Sequence, residues 1–327
     1  MDVLGLPLDP AINIAAQHIS PALTLLAVPG ELLDSTQWYL LLIAILYLGF
    51  HPRHGVRLAV LVGITGGLNE ALKLAWHLPR PYWISLDLKI FTSPPSFGFP
   101  SGAAMYGSAM YGYIAAVVRR WWVVAVCALL LVTTCVVRII GGIHFVQDVA
   151  GGVLFGFLLL LLFLSVEPRV AVYAAGLSRP GRWIGILLLA ALPIILVIPP
   201  FLALAGWELP ASWAATAFQQ TSHAIDPVAI RYAWGVAGII LGSLAGYEVL
   251  LSRGGWEPPE GLRQKVAVFL AGTGSTLAVW WIITTIREAC NLPDPIDSAL
   301  TVVSMAMVLF WLTCCVPLTA RRAGFAR

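Results

Sequence analysis

Nine stretches of this chain are long and almost purely apolar: 35–50, 57–76, 102–118, 121–137, 149–166, 183–202, 229–250, 266–286 and 298–318. A helix needs ~20 such residues to cross a hydrocarbon core of ~30 Å. The pattern therefore predicts an all-α fold, a polytopic membrane helical bundle of about nine transmembrane helices joined by short loops. Composition agrees: 59% of residues are hydrophobic and 11% charged, where soluble domains carry about 45–50% and about 25%. That balance excludes an ordinary cytosolic protein, a disordered chain and a disulfide scaffold. Segment 5–29 is interrupted by Gln17, His18, Pro21 and Pro29. It reads as an amphipathic helix lying at the interface, with a tenth span as the rival reading. Three regions follow: an N-terminal interfacial segment 1–34, a five-span core 35–166 and a four-span extension 167–327. Neither an internal repeat nor a low-complexity tract is visible.

A formal net charge of +3 is too mild to indicate nucleic acid as a partner. Cys127, Cys135, Cys314 and Cys315 lie in apolar stretches, Cys290 falls in a polar loop, and no CxxC occurs. Neither a bound metal nor a disulfide is expected. The first basic residue is Arg53, so the positive start of a secretory signal is missing and the spans are expected to direct insertion. Nine spans put thirteen of the nineteen Lys and Arg on one side. By the positive-inside rule that side is cytoplasmic, with the N-terminus outside and the C-terminus inside. Against this bias Lys73, Arg80 and Arg138 sit at span ends on the outer face. Cations so placed usually have a function or a partner.

Three segments should meet on that face. In Lys73-Leu-Ala-Trp-His-Leu-Pro-Arg80-Pro81 two cations seven residues apart can reach one anion, Arg as a planar fork and Lys as a point charge. Snorkelling at a helix end is the favoured explanation when the pair is taken alone. Phe99-Pro100-Ser101-Gly102-Ala103 opens a span, where free backbone N–H groups and the helix dipole favour an anion; a plain Ser cap is the alternative. In Arg138-Ile-Ile-Gly-Gly-Ile-His144-Phe-Val-Gln-Asp148, His144 and Asp148 stand at i and i+4 and share a helix face. A carboxylate on one imidazole nitrogen fixes the tautomer and sharpens the other as nucleophile or base. Gly141 and Gly142 would let backbone approach a bound anion. Three anion-type clusters on one face argue together for a shared phosphate site.

Taken together, these residues resemble the type 2 phosphatidic acid phosphatase superfamily, whose pattern is Lys-x6-Arg-Pro, Pro-Ser-Gly-His and Ser-Arg-x5-His-x3-Asp. Lys73, Arg80 and Pro81, then Pro100, Ser101 and Gly102, then Arg138, His144 and Asp148 keep all internal spacings. The nine-span plan, Arg80-Pro-Tyr-Trp83 and Leu68-Asn69 are also similar to the glucose-6-phosphatase branch. The resemblance implies covalent phosphoryl transfer without a cofactor or metal. His144 would attack phosphorus and form a phosphohistidine, and Asp148 would hold and polarise it. Lys73, Arg80, Arg138, Ser101 and the Gly102 N–H would bind phosphate oxygens. Two positions depart from the pattern. Ala103 stands where the family has the His that protonates the leaving oxygen, a role worth roughly 10²–10⁴-fold. The chain is therefore expected to be weak or inactive, and Ala103 reads equally as a natural residue or as a substitution made to block turnover. Val137 replaces the Ser before Arg138, at the cost of one supporting hydrogen bond. His77 is expected to pack or cap, Glu70 to pair with Lys73, Glu248 to snorkel, and the tryptophans to form an interfacial belt.

The leading expectation is thus a membrane phosphatase acting at the extracytoplasmic face on a lipid phosphate or diphosphate, with membrane lipids around it. A sugar phosphate is the alternative substrate. A non-catalytic binder or transporter of phosphorylated lipid is the reading from a different class, and a phosphotransferase would share every residue named.

Overall fold

Each of the nine apolar stretches lies largely within a helix. The structure, a computed structural model, describes residues 8–19, 27–294 and 296–325. In chain order the helices are α1 (Ala11–Ile19), α2 (Ala27–Leu32), α3 (Thr36–Ala44), α4 (Pro52–Trp76), α5 (Pro81–Ile84), α6 (Gly102–Val118) and α7 (Trp121–Ile140). There follow α8 (Val146–Gly176), α9 (Arg179–Ala203), α10 (Ala211–Thr221), α11 (Arg231–Ser252), α12 (Leu262–Cys290), α13 (Ile296–Phe310) and α14 (Val316–Arg322). Helix α3 continues as a π-helical stretch, Ile45–Phe50, and Trp311–Cys315 joins α13 to α14 in the same way. No strand occurs among the described residues.

Seven helical runs are long and apolar enough to cross a membrane: Pro52–Ile84, Trp121–Ile140, Val146–Gly176, Arg179–Ala203, Arg231–Ser252, Leu262–Cys290 and Ile296–Arg322. Thr36–Phe50 is apolar but shorter, and α6 has 17 residues, about 26 Å of helix at 1.5 Å per residue. The protein is an all-α, polytopic membrane bundle with seven runs of spanning length among the described residues. Residues 5–7 and 20–26 of the expected interfacial segment lie outside the described residues, and α1 forms its middle.

The chain divides into two units. The first comprises the described residues of Met1–Ser35, Leu68–Leu162 and Leu196–Ile230. Within it, glycines bring α8 against α6. A Cβ on Gly152 would stand 2.5 Å from the Ser101 carbonyl, and one on Gly156 2.4 Å from that of Met105. Small residues at such a crossing let two helices approach backbone to backbone. That approach sets the start of α6 beside the start of α8, and the Ser101 N–H donates to the Asp148 carbonyl at 2.9 Å.

The second unit holds Thr36–Gly67, Phe163–Ile195 and the described residues of Arg231–Arg327. Gly238, Gly242 and Gly246 recur every four residues on α11. Cβ atoms there would meet the backbone of Val302 and Ala306 and the Thr313 hydroxyl within 2.4 Å, so small side chains again set the crossing. Two ion pairs pin helix ends in this unit: Arg57 Nε to Glu167 Oε1 at 2.7 Å, and Arg182 Nε to Glu248 Oε1 at 2.8 Å. Glu248, expected to snorkel, instead has a cation to pair with.

Candidate active site

The end of α4 determines where the first two cations go. Lys73 lies in its last turn. His77 then takes a left-handed φ of +38°, breaking the helix so that the extended residue Arg80 can turn inward ahead of Pro81. The Arg80 guanidinium is buried and fully engaged. Its Nε donates to the Ser96 carbonyl at 2.6 Å, Nη2 to Ser96 Oγ at 3.1 Å, and Nη1 to the Ile143 carbonyl and His144 Nε2, both at 3.0 Å. Lys73 Nζ donates to the same Ser96 Oγ at 3.0 Å. Lys73 thus finds a hydroxyl, and no ion pair joins it to Glu70 within 4 Å among the described residues. His77 packs its ring between Phe97 and Trp207, with centroids 6.2 Å from each.

Arg80 also settles the His144 tautomer. A guanidinium only donates, so Nε2 must present its lone pair and Nδ1 carries the proton. Nδ1 faces Asp148 Oδ2 at 3.4 Å. The same Oδ2 accepts the Phe145 N–H at 2.8 Å, which fixes the carboxylate. His144 precedes α8 rather than lying on it, so the pair spans a helix start instead of sharing a helix face. Burial, then the positive charges of Arg80, Lys73 and Arg138, push the imidazole pKa well below its usual value, against an opposing hydrogen bond with the Gly98 backbone. His144 is held neutral.

At the start of α6, Ser101 occupies the N-cap position but its side chain caps nothing. Its Oγ is buried without a hydrogen-bond partner, as is Asp148 Oδ1. A Cβ on Gly102 would lie 3.1 Å from Asn69 Oδ1 and 3.9 Å from Lys73 Nζ. Asn69 Nδ2 in turn donates to the Pro100 carbonyl at 3.2 Å and holds this turn against α4. Ala103 follows, buried in the first turn of α6.

Arg138, at the end of α7, is buried and paired by Nη1 with Glu31 Oε2 at 3.1 Å and Asp34 Oδ2 at 3.7 Å. Val137 packs against the Gly30 Cα, where a glycine Cβ would come within 2.5 Å of its methyl. Apolar contact thus occupies the place of the expected Ser. Gly141 and Gly142 are required by the turn itself. A Cβ on Gly141 would strike the Val137 carbonyl at 2.8 Å, and Gly142 has a φ of +69°, which only glycine adopts cheaply.

Several supporting residues escaped the sequence reading. Asn13 Nδ2 donates to the carbonyls of Ile139 and His144, each at 2.9 Å, and Gln17 Nε2 to those of Ile140 and Lys89 at 2.7 and 2.8 Å. One face of α1 therefore clamps the loop that carries His144. Spacing four residues apart on a helix was the only available signal. Trp213 packs on Trp83 and Trp207 on Phe97, with centroids 6.1 and 5.4 Å apart. Trp83 and Trp256 are buried, so these two do not belong to an interfacial belt. Among the described residues no three His, Cys, Asp or Glu side chains gather as a metal site.

Comparison with protein families places residues 54–171 in the PAP2 superfamily and residues 234–327 in the PAP2 superfamily phosphatase transmembrane extension. The first match contains every residue from Lys73 to Asp148 described above. Comparisons with curated proteins and with solved structures found no significant match.

Proposed function

The chain belongs to the PAP2 superfamily, and from that membership we propose a metal-independent membrane phosphatase that acts on a lipid phosphate or diphosphate through a phosphohistidine. The observation carrying this reading is the 3.0 Å contact between Arg80 Nη1 and His144 Nε2. It joins a phosphate-seeking cation to a neutral nitrogen whose lone pair is already presented. Incoming phosphate takes over the guanidinium and leaves Nε2 facing phosphorus. The Nε2–P bond forms as the P–O bond to the leaving group breaks, and the departing oxygen takes a proton. Asp148 accepts the Nδ1 hydrogen bond and stabilises the growing positive charge on the imidazole. Water then cleaves Nε2–P and releases inorganic phosphate. Lys73 and Arg80 supply charge that a metal would otherwise supply, and Ser101 Oγ, the Gly102 N–H and Arg138, whose own charge is paired with Glu31 and Asp34, complete the cradle.

The end of α4, the start of α6, the end of α7 and the start of α8 carry these groups. Antiparallel spans would bring those four ends to one side of a membrane, and the Lys and Arg distribution favours the extracytoplasmic one. A lipid substrate fits that depth, its headgroup at the site and its tail in the bilayer. The chemistry is assigned to the core 35–166, with 167–327 as a membrane extension.

Ala103 leaves the leaving oxygen to be protonated by water. Ala103→His is expected to raise phosphate release by about 10²–10⁴-fold, measured in detergent with lipid phosphates and glucose 6-phosphate side by side. Preference for the sugar would replace the lipid assignment. Ala103 also favours a second reading, a phospholipid-binding protein without turnover. Release by neither form, with phosphorylated lipid still bound, would favour it.

A further inference from the structure

Ser96 lies outside all three sequence segments, yet it is where the first two cations meet. Its Oγ accepts Lys73 Nζ at 3.0 Å and Arg80 Nη2 at 3.1 Å, and its carbonyl accepts Arg80 Nε at 2.6 Å. The side chain is buried. A serine hydroxyl has two acceptor lone pairs and one proton. Ammonium and guanidinium only donate, so both lone pairs are spent on the cations. The proton must point away from both, and no acceptor for it is found among the described residues. Two adjacent positive charges polarise that O–H and make it a stronger donor. Close by, Ser101 Oγ is another buried hydroxyl with no partner, and a Cβ on Gly102 would lie 3.9 Å from Lys73 Nζ.

We propose that Ser96 Oγ–H donates directly to an oxygen of the bound phosphate, making Ser96 an additional substrate-binding residue as well as the spacer between Lys73 and Arg80. This rests on the phosphate-site reading given above. An anion drawn in by the two cations brings its oxygens to the side that the hydroxyl proton faces. Ser96 thereby converts two separate charges into one oriented, three-donor grip.

The test is titration of the chain as it stands with inorganic phosphate, followed by phosphorus NMR, against Ser96→Ala and Ser96→Thr. Ser96→Ala is expected to weaken phosphate binding about tenfold or more and to move the resonance of the bound phosphate. Ser96→Thr, which keeps the hydroxyl, is expected to stay within about threefold. Unchanged affinity, or weaker binding with an unmoved resonance, overturns the direct contact and leaves Ser96 a spacer. Should Ser96→Ala not fold, Ser96→Cys, a similar volume with a feeble donor, gives the same comparison. A parent chain that binds no phosphate overturns the phosphate-site reading itself, and this contact with it.

Discussion

Burial among cations, rather than Asp148 alone, keeps His144 neutral. Its folded pKa lies well below the ordinary value, near 6.5 for an unfolded chain. Between those two pKa values the unfolded chain binds a proton that the folded chain refuses. On its own, His144 lowers stability as pH drops from about 6.5 towards the folded pKa. Between pH 7 and 5.5 the thermal midpoint in detergent is expected to fall more steeply in this chain than in His144→Asn. Equal slopes in the two proteins would mean that His144 is not the group refusing the proton. These residues could be picked out from sequence because their spacing is local. Lys73 and Arg80, Pro100 to Gly102, and Arg138 to Asp148 each form a short run with fixed intervals. Ser96 could not be read that way. Its importance comes from Lys73 and Arg80 converging on one oxygen, 23 and 16 positions away, and a serine in a Pro-rich loop carries no mark of it.

At the scale of helices, α1 is the element whose use was least legible. Its sequence pattern indicated an amphipathic segment, which says where apolar residues go but not what Asn13 and Gln17 grip. Their partners lie 72 to 131 positions away. Asn13 is buried and bridges two carbonyls on either side of the Gly141–Gly142 turn. Removing it strands both acceptors and frees the loop that aims His144. Asn13→Ala is expected to cost about 1–3 kcal/mol of stability. In the Ala103→His background it should also lower kcat more than it raises KM. A loss confined to KM would place α1 in substrate entry instead. The nine apolar stretches, by contrast, were legible as helices because length and hydropathy alone define them. Their ends were less so: α8 runs through Pro168 to Gly176, ten residues past the apolar run that announced it.

For the whole molecule, orientation is the claim that sequence supports and side-chain geometry does not address. It makes a concrete prediction, because Cys290 is exposed while Cys127 and Cys314 are buried and Cys135 and Cys315 are partly covered. Cys290 ends α12 next to Arg287, which pairs with Asp297 at 2.8 Å, in a loop assigned to the same face as the site. A membrane-impermeant thiol reagent is expected to label Cys290 from outside intact cells, and Cys290→Ser should abolish the signal. Labelling only after permeabilisation would reverse the orientation and put the phosphate site inside.

The central claim, transfer of phosphate to His144, is tested most directly with an activated substrate. Nitrophenolate leaves without protonation, so the proposed lack of a general acid at Ala103 matters least for it. With radiolabelled p-nitrophenyl phosphate, this chain should release a burst of nitrophenolate and retain label on His144. The label should be acid-labile and base-stable, and His144→Asn should abolish it. Turnover of that substrate with no label on His144, or label that survives His144→Asn, would contradict the account.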